Sequence, residues 1–293
     1  MDIGILVPAT VQSGNPADIA KRVEGFGFES LWIPEHPVIP IGFKTPLPGG
    51  GGGKLPEHYN RWADPFIALT AAATATKQLK LATGICLLPE REPILTAKVI
   101  ASLDFYSGGR VMLGVGAGWL KEETEVMGTN FRLRWKRLRE TVEAMRVLWT
   151  QKEASYEGEL VRFPAVYCEP KPVQKGGPPI FLGAHVPKAL ERVAQSYDGW
   201  CPLSFNVEDY KKSVATIRKL TKEAGRNPDT LQMTALVDPK DGNLSTDELK
   251  AYRDAGASRI VLFSQPIVAA MADGKTFECI DRVAVIVARA QKV

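Results

Sequence analysis

The stretch DIGILVPATVQSGNPADIAKRVEGFGFESLWI, residues 2–33, decides the fold class. Asp2–Pro8 is a short apolar run that ends in proline, which predicts a buried strand. A helical pattern begins at Pro16 and ends near Gly25, and Ser30–Ile33 is predicted to be a second strand. A strand, a helix and a further strand in this order predict two parallel strands joined by a right-handed crossover.

The same alternation continues to the end of the chain, with apolar runs that are typical of strands covered by helices on the outside. A doubly wound open sheet gives the same local pattern. The length of 293 residues and the count of eight strands favour one α/β domain over residues 1–293, a (β/α)8 TIM barrel. The further strands are predicted at Leu79–Leu88, Arg110–Gly116, Pro179–Gly183, Gly199–Pro202, Leu231–Val237 and Ser258–Phe263. The further helices are predicted at Asp64–Thr76, Pro93–Phe105, Arg132–Thr150, from Pro187, and at Val207–Ala224, Thr246–Ala255 and Thr276–Gln291.

Two insertions interrupt this alternation, one after strand two and one after strand four. Pro37–Arg61 contains Pro40, Pro46, Pro48, Pro56 and the glycine run Gly49–Gly53, so it is not expected to be a regular element. It is predicted to be a lid over the barrel mouth. Ala154–Lys175 is predicted to be a β-hairpin or extended insertion. Its expected arms are Tyr156–Phe163 and Val166–Lys171.

Composition argues against several kinds of partner and site. The formal net charge of +4 is small and dispersed, so nucleic acid is not expected as a partner. The four cysteines form no C-x-x-C pair and only three histidines are present, so we expect neither a disulfide framework nor a metal site. No signal-peptide pattern opens the sequence and no apolar run reaches membrane-span length, so we expect a cytoplasmic protein without a membrane partner.

The carboxyl ends of the strands hold the candidate functional residues, because active sites of such barrels lie at that end. Glu35-His36 closes strand two, and an imidazole there can donate a hydrogen bond or shuttle a proton near neutral pH. An ordinary surface ion pair is the alternative. Strand four ends in Gly116-Ala117, but Trp119 interrupts the dinucleotide-binding spacing. The glycines at this strand end, Gly114, Gly116 and Gly118, either let the backbone approach a cofactor or allow tight packing inside the barrel.

The run from Asp64 to Glu123 contains three specific motifs, LATGI at 81–85, P-x3-A-K at 93–98 and SGGRVMLGVGAGW at 107–119. With these motifs the run resembles the luciferase-like monooxygenase superfamily. The W-x2-E-H of strand two and PPIFLG at 178–183 also match. Members of that superfamily are (β/α)8 barrels that use FMN or the deazaflavin coenzyme F420, and this compact layout is most similar to the F420-dependent branch.

The resemblance implies that the cofactor ring lies between His36 and the end of strand three. His36 and Glu35 are then the predicted catalytic residues, although the family usually has aspartate at position 35. In the family, a bulge with a cis peptide backs the ring, which here implies the bond between Gly84 and Ile85. An ordinary strand with a bulge at Gly84 is the alternative.

The resemblance also implies a cofactor phosphate at Gly183-Ala184, where the N-terminus of the following helix offers free N–H groups. His185 beside them is either a ligand or solvent-exposed. Arg132, Arg134 and Arg137 either reach an anionic cofactor tail or form a solvated basic face. The predicted cofactor-binding residues are His36, Thr83, Gly84, Ile85, Gly116, Ala117, Gly183, Ala184 and Arg137.

The predicted function is hydride transfer between F420 and a small, hydrophobic organic substrate. Trp119, Phe43 and Trp62 are predicted to line the substrate pocket. Trp119 stands where the sugar-phosphate dehydrogenases of the F420 branch have a glutamate, which argues against that chemistry. An FMN-dependent monooxygenase and a non-catalytic cofactor-binding barrel are the alternatives. The resemblance also implies a homodimer through helices two and three. The run Ala68–Ala75 is compatible with that interface and equally with a core-facing helix.

Overall fold

The computed structural model describes residues 1–47, 55–184, 186–204 and 206–293. The described strands include a closed barrel of eight parallel strands, which confirms the predicted fold class. The strands are β1 Asp2–Leu6, β2 Ser30–Ile33, β3 Lys80–Cys86, β4 Val111–Val115, β5 Ala154–Glu157, β6 Arg162–Val166, β7 Ile180–Leu182, β8 Gly199–Trp200, β9 Leu203–Ser204, β10 Gln232–Val237 and β11 Arg259–Leu262.

The barrel runs in the order β1, β2, β3, β4, β7, β8, β10 and β11, and β11 pairs with β1 to close it. β8 and β9 both pair with β10 in one continuous direction, so they are two halves of the sixth strand. Cys201 and Pro202 separate the two halves, because proline has no N–H to donate to a sheet. β5 and β6 form a separate antiparallel hairpin.

The helices cover the outside of the barrel, and several begin with proline at the first helical position. Asp64 caps α2 by accepting hydrogen bonds from Phe66 N and Ile67 N. The helices are α1 Pro16–Gly25, α2 Pro65–Ala75, α3 Pro93–Ser107, α4 Lys121–Val126, α5 Arg134–Thr150, α6 Pro187–Ser196, α7 Val207–Glu223, α8 Thr246–Asp254, α9 Gln265–Ala270, α10 Thr276–Val283 and α11 Val285–Ala290. No helix among the described residues is both long and apolar enough to span a membrane.

The predicted arms of the hairpin are wrong, because the turn falls inside the first of them. Gly158 N donates to Val161 O, and the Glu140 carboxylate of α5 accepts from Leu160 N at 2.7 Å and Val161 N at 3.1 Å. A carboxylate supplied by another element thus satisfies the turn amides. The predicted C-terminal helix is also interrupted, at Ala284 between α10 and α11.

The barrel interior is packed with large side chains and leads up to the mouth. Leu6, Trp32, Met112 and Phe181 form part of this buried cluster, and Trp32 Nε1 donates to Ser30 Oγ at 2.8 Å. Trp62, Ile85 and Phe263 are partly buried and pack on the cluster. They therefore form the floor of the carboxyl end, where the candidate site lies.

Candidate active site

An aromatic cluster surrounds His36 just beyond the end of β2. The centre of the His36 ring lies 5.4 Å from that of Trp62, 5.5 Å from Tyr59 and 5.9 Å from Trp119. Phe43 meets Trp119 edge-on at 6.3 Å. The structure therefore brings together His36 and all three predicted pocket residues, and it adds Tyr59, which sequence reasoning missed inside the insertion.

His36 forms a buried hydrogen bond with Glu123 of α4. The distance between His36 Nδ1 and Glu123 Oε2 is 2.7 Å, and the two side chains are 6% and 0% exposed. A carboxylate accepts, so Nδ1 carries the proton, and Nε2 is left to meet a ligand. Glu123 belonged to the recognised motif but had no assigned role. The sequence signal that could have indicated a role for Glu123 is its position four residues after Trp119.

Glu35 does not join His36 in this cluster. Its carboxylate accepts hydrogen bonds from Leu87 N at 2.7 Å and from Arg91 Nε at 2.7 Å, and Arg91 also contacts Asp64 at the start of α2. Both carboxylate oxygens are engaged, so the geometry gives Glu35 the task of tying β2 to the turn after β3. Its predicted catalytic role remains a prediction without geometric support.

The end of β3 has the irregular form that the resemblance implied. The register of β3 against β4 shifts between Thr83 and Cys86, and the peptide bond between Gly84 and Ile85 is cis. Thr83 is fully buried and its hydroxyl donates to Gly114 O at 2.7 Å. Thr83 therefore supports β4, while Ile85 is the residue that reaches the mouth.

The glycines that directly follow β4 and β7, Gly116 and Gly183, make room for Ile85. A Cβ on Gly116 would lie 2.2 Å from Ile85 Cδ1, and a Cβ on Gly183 would lie 2.8 Å from Ile85 Cγ2. A Cβ on Gly114 would meet Thr83 O at 2.4 Å. Of the two explanations for the glycine motif, tight packing is the one this geometry favours. Ala117, directly after Gly116, is buried.

The predicted phosphate site lies beyond β7. Gly183 N is already engaged, since it donates to Val115 O at 2.8 Å, and Ala184 O accepts from Trp200 Nε1 at 2.6 Å. Val186 caps α6 without a side-chain hydrogen bond. The prediction therefore depends on the first turn of α6 rather than on Gly183. His185 lies outside the described residues.

The described parts of the insertion dock on α4 and on the segment between α9 and α10. Glu122 of α4 accepts hydrogen bonds from Lys44 N at 2.7 Å and from Thr45 Oγ1 at 2.6 Å. The bond from the Thr45 hydroxyl has the largest effect, and together these bonds lower the pKa of Glu122 to about 2. Arg61 pairs with Asp273 at 2.8 Å. Gly49–Gly53 lies outside the described residues, and the lid role remains a prediction.

Two ring nitrogens beside the cluster are suited to an acceptor-rich ligand. His58 Nε2 and Trp62 Nε1 are buried and have no hydrogen-bond partner in the described part of the chain. Burial lowers the pKa of His58 and raises that of Tyr59, whose hydroxyl accepts from Gln265 Nε2 at 2.8 Å. A flavin or deazaflavin ring carries several acceptor atoms, so these residues fit such a group.

Glu90 is a buried acid that sequence reasoning missed. It is 3% exposed, its Oε1 accepts from Thr124 Oγ1 at 2.9 Å, and its Oε2 has no partner among the described residues. Burial first, and then the nearby charge of Glu123, raise the pKa of Glu90 to about 8. Glu90 lies directly behind Gly118, where a Cβ would meet its Oε1 at 2.9 Å.

The Arg137 side chain binds backbone carbonyl groups of the scaffold and is not placed at the barrel mouth. It donates from Nε to Pro89 O at 3.0 Å and from Nη1 to Leu160 O at 3.4 Å. Arg134, one turn earlier, contacts the loop after β4 by donating to Gly118 O at 3.2 Å. Of these two arginines, Arg134 is therefore the one that borders the candidate site.

Comparison with known sequences finds a matching family model and relatives that align with most of this chain. A family model described as luciferase-like monooxygenase matches residues 1–239. An uncharacterized protein of Mycobacterium tuberculosis is 37% identical over 267 residues, which cover 91% of this chain and 92% of that protein. A 5,10-methylenetetrahydromethanopterin reductase of Methanolobus tindarius is 29% identical over 242 residues, covering 81% of this chain and 70% of the reductase.

Solved structures share the fold at lower identity. The coenzyme F420-dependent tetrahydromethanopterin reductase of Methanopyrus kandleri has a TM-score of 0.71 at 20% identity, covering 94% of this chain and 98% of that one. The oxygenating constituent of 3,6-diketocamphane monooxygenase from Pseudomonas putida, in complex with FMN, has a TM-score of 0.71 at 16% identity, with coverages of 97% and 96%. At these identities the likeness concerns the fold.

Proposed function

Because the chain belongs to the luciferase-like monooxygenase family, we propose that it is an F420-dependent oxidoreductase. It would transfer a hydride between the deazaflavin and a small, hydrophobic organic substrate. The observation that carries this proposal is the buried His36–Glu123 pair at the carboxyl end of the barrel strands. A fully buried carboxylate orients one imidazole nitrogen and leaves the other for a reacting molecule, which is the arrangement that proton handling requires.

The choice of F420 over FMN is supported by a relative in sequence and a relative in fold that carry related reductase names. The Methanolobus tindarius protein is a methylenetetrahydromethanopterin reductase, and the solved structure of a tetrahydromethanopterin reductase is described as F420-dependent. The FMN complex shares the fold at 16% identity and supports the alternative monooxygenase function only at that level.

The residues of the mouth would each have a separate task. F420 supplies or accepts the hydride when it is bound. His36 Nε2 would hold or deliver the accompanying proton, and Glu123 would keep the imidazole in the required tautomer. Ile85 would form the apolar floor. Trp62 and Trp119 would exclude water and contact the hydrophobic part of the substrate.

The proposal is tested by titrating the apoprotein with F420 and, separately, with FMN. Quenching of each cofactor's own fluorescence measures binding. We expect micromolar or tighter binding of F420 and much weaker binding of FMN. Tight binding of FMN with none of F420 would overturn the proposal in favour of the monooxygenase alternative.

We also propose that the protein forms a homodimer through the outer face of α2 and α3. Most of the alanine run that was compatible with this interface faces the core, since Ala68, Ala72 and Ala73 are buried. The exposed apolar side chains of this face come from other positions, Ile67 of α2 and Leu95 and Tyr106 of α3. Exposed apolar side chains mark an association surface where they form a contiguous patch, and these three come from α2 and α3, which contact each other.

Replacing Leu95 by glutamate is expected to convert the dimer to a monomer, because a charge would be buried without a partner in the interface. Light scattering coupled to gel filtration measures the mass. Val11, which is equally apolar and 94% exposed but lies after β1, provides the control Val11→Glu, which should remain dimeric. A monomeric wild-type protein would contradict this prediction.

A further inference from the structure

Arg134 and Arg192 are half-buried guanidinium groups that have no carboxylate partner in the described part of the chain. Arg134 lies over the Phe131 ring at 3.7 Å and donates only to the carbonyls of Gly118 and Phe131. Arg192 lies over the Trp135 ring at 4.3 Å. The residues outside the described ranges include no aspartate or glutamate, so they cannot neutralise either group.

The two guanidinium groups are close enough to repel each other. Burial first, and then the positive charge of Arg192, lower the pKa of Arg134. Arg139 on the same helix is different, since it pairs with Glu140 at 3.6 Å and Glu143 at 3.2 Å. Stacking on aromatic rings fixes Arg134 and Arg192 in place, and an anion between them would relieve their repulsion.

Arg134 and Arg192 both lie next to elements that follow barrel strands at their carboxyl ends. Gly118, which Arg134 contacts, is in the loop after β4, and Arg192 is on α6, which follows β7. β4 and β7 are neighbours in the barrel. The pair therefore flanks the sector in which the cofactor phosphate is predicted, at Ala184 and the start of α6.

We propose that Arg134 and Arg192 form an anion site for the glutamate tail that F420 carries beyond its phosphodiester. The inference rests on the proposed function and deepens it, because FMN ends at its phosphate and has no such tail. A guanidinium group binds a carboxylate through two parallel hydrogen bonds, and two such groups suit a chain with several carboxylates. The pair would therefore favour F420 over FMN.

The test compares F420 with F420-0, the form that has the same ring and phosphodiester but no glutamates. Both affinities are measured by fluorescence at low and high salt. We expect Arg134→Gln and Arg192→Gln each to weaken F420 binding about ten-fold, the loss of one charged hydrogen-bonded contact. Binding of F420-0 should stay unchanged, which also shows that the variants fold. High salt should reduce the wild-type preference for F420.

Arg139→Gln is the matched control, because Arg139 lies on the same helix and is already paired with carboxylates. It should bind both ligands as the wild type does. Equal wild-type affinity for F420 and F420-0, or an equal loss for both ligands in the variants, would overturn the anion site and leave the proposed function standing. Binding of neither ligand to the wild type would overturn the proposed function, and the anion site with it.

Discussion

Glu123→Gln is expected to lower turnover by about 100-fold or more with any acceptor that the wild-type protein reduces. Glu123 Oε2 accepts from His36 Nδ1 at 2.7 Å, and Glu123 Oε1 lies 3.4 Å from Val38 N. Glutamine presents an amide nitrogen to one of these two donors. His36 must then change its tautomer or lose its partner, and the negative charge that stabilises a protonated imidazole is removed as well.

Two measurements separate this effect from general damage. Nitrogen-15 NMR of the three histidines reports the His36 tautomer, with His36→Asn used for assignment. F420 fluorescence reports whether the cofactor still binds. Glu125→Gln is the control, because Glu125 is exposed on the same helix and pairs only weakly with Lys121 at 3.9 Å. Normal turnover in Glu123→Gln together with a changed tautomer would remove His36 from the proposed proton handling.

The barrel could be predicted because its signals are local. Proline at helix starts, Asp64 as a cap and uninterrupted apolar strands each act within a few residues. The wrong predictions concern elements whose structure depends on a residue that is distant in the sequence. The hairpin turn depends on Glu140, which is 20 residues away from Leu160 in the sequence. The split of the sixth strand is marked in the sequence only by Pro202, and a proline is equally typical of the end of a strand.

The candidate site was predicted in part for the same reason. His36 and Trp119 could be found because each follows a strand, but the partner of His36 is 87 residues away. Glu122 and Glu123 are adjacent and of one type, yet one holds the insertion and the other holds His36. Helix phase and docking of α4 decide between them. Glu35 adjoins His36 in the sequence, but neighbouring residues of an extended segment point in opposite directions, so adjacency does not bring Glu35 into the cluster.

Glu90→Gln is expected to stabilise the protein at pH 8 and to leave its stability at low pH nearly unchanged. Glu90 is buried behind Gly118, and Glu123, Glu35 and Arg91 are the charged groups that act on it. Burial and the two like charges outweigh Arg91, so the carboxyl group keeps its proton in the folded protein up to about pH 8. Glutamine has nearly the shape of the protonated acid and does not titrate.

Linkage gives the sign and the size of the effect. The pKa of Glu90 is about 8 when folded and near its ordinary value when unfolded, so its contribution to stability is full at low pH and is lost as pH rises toward 8. Between pH 5 and pH 8 the free energy of unfolding of the wild type should fall by about 3 kcal/mol relative to Glu90→Gln. Urea denaturation across this range measures the difference, and all other titrating groups cancel because both proteins contain them. Glu125→Gln should follow the wild type. Parallel curves for the wild type and Glu90→Gln would contradict this prediction, because they would mean that folding does not raise the pKa of Glu90.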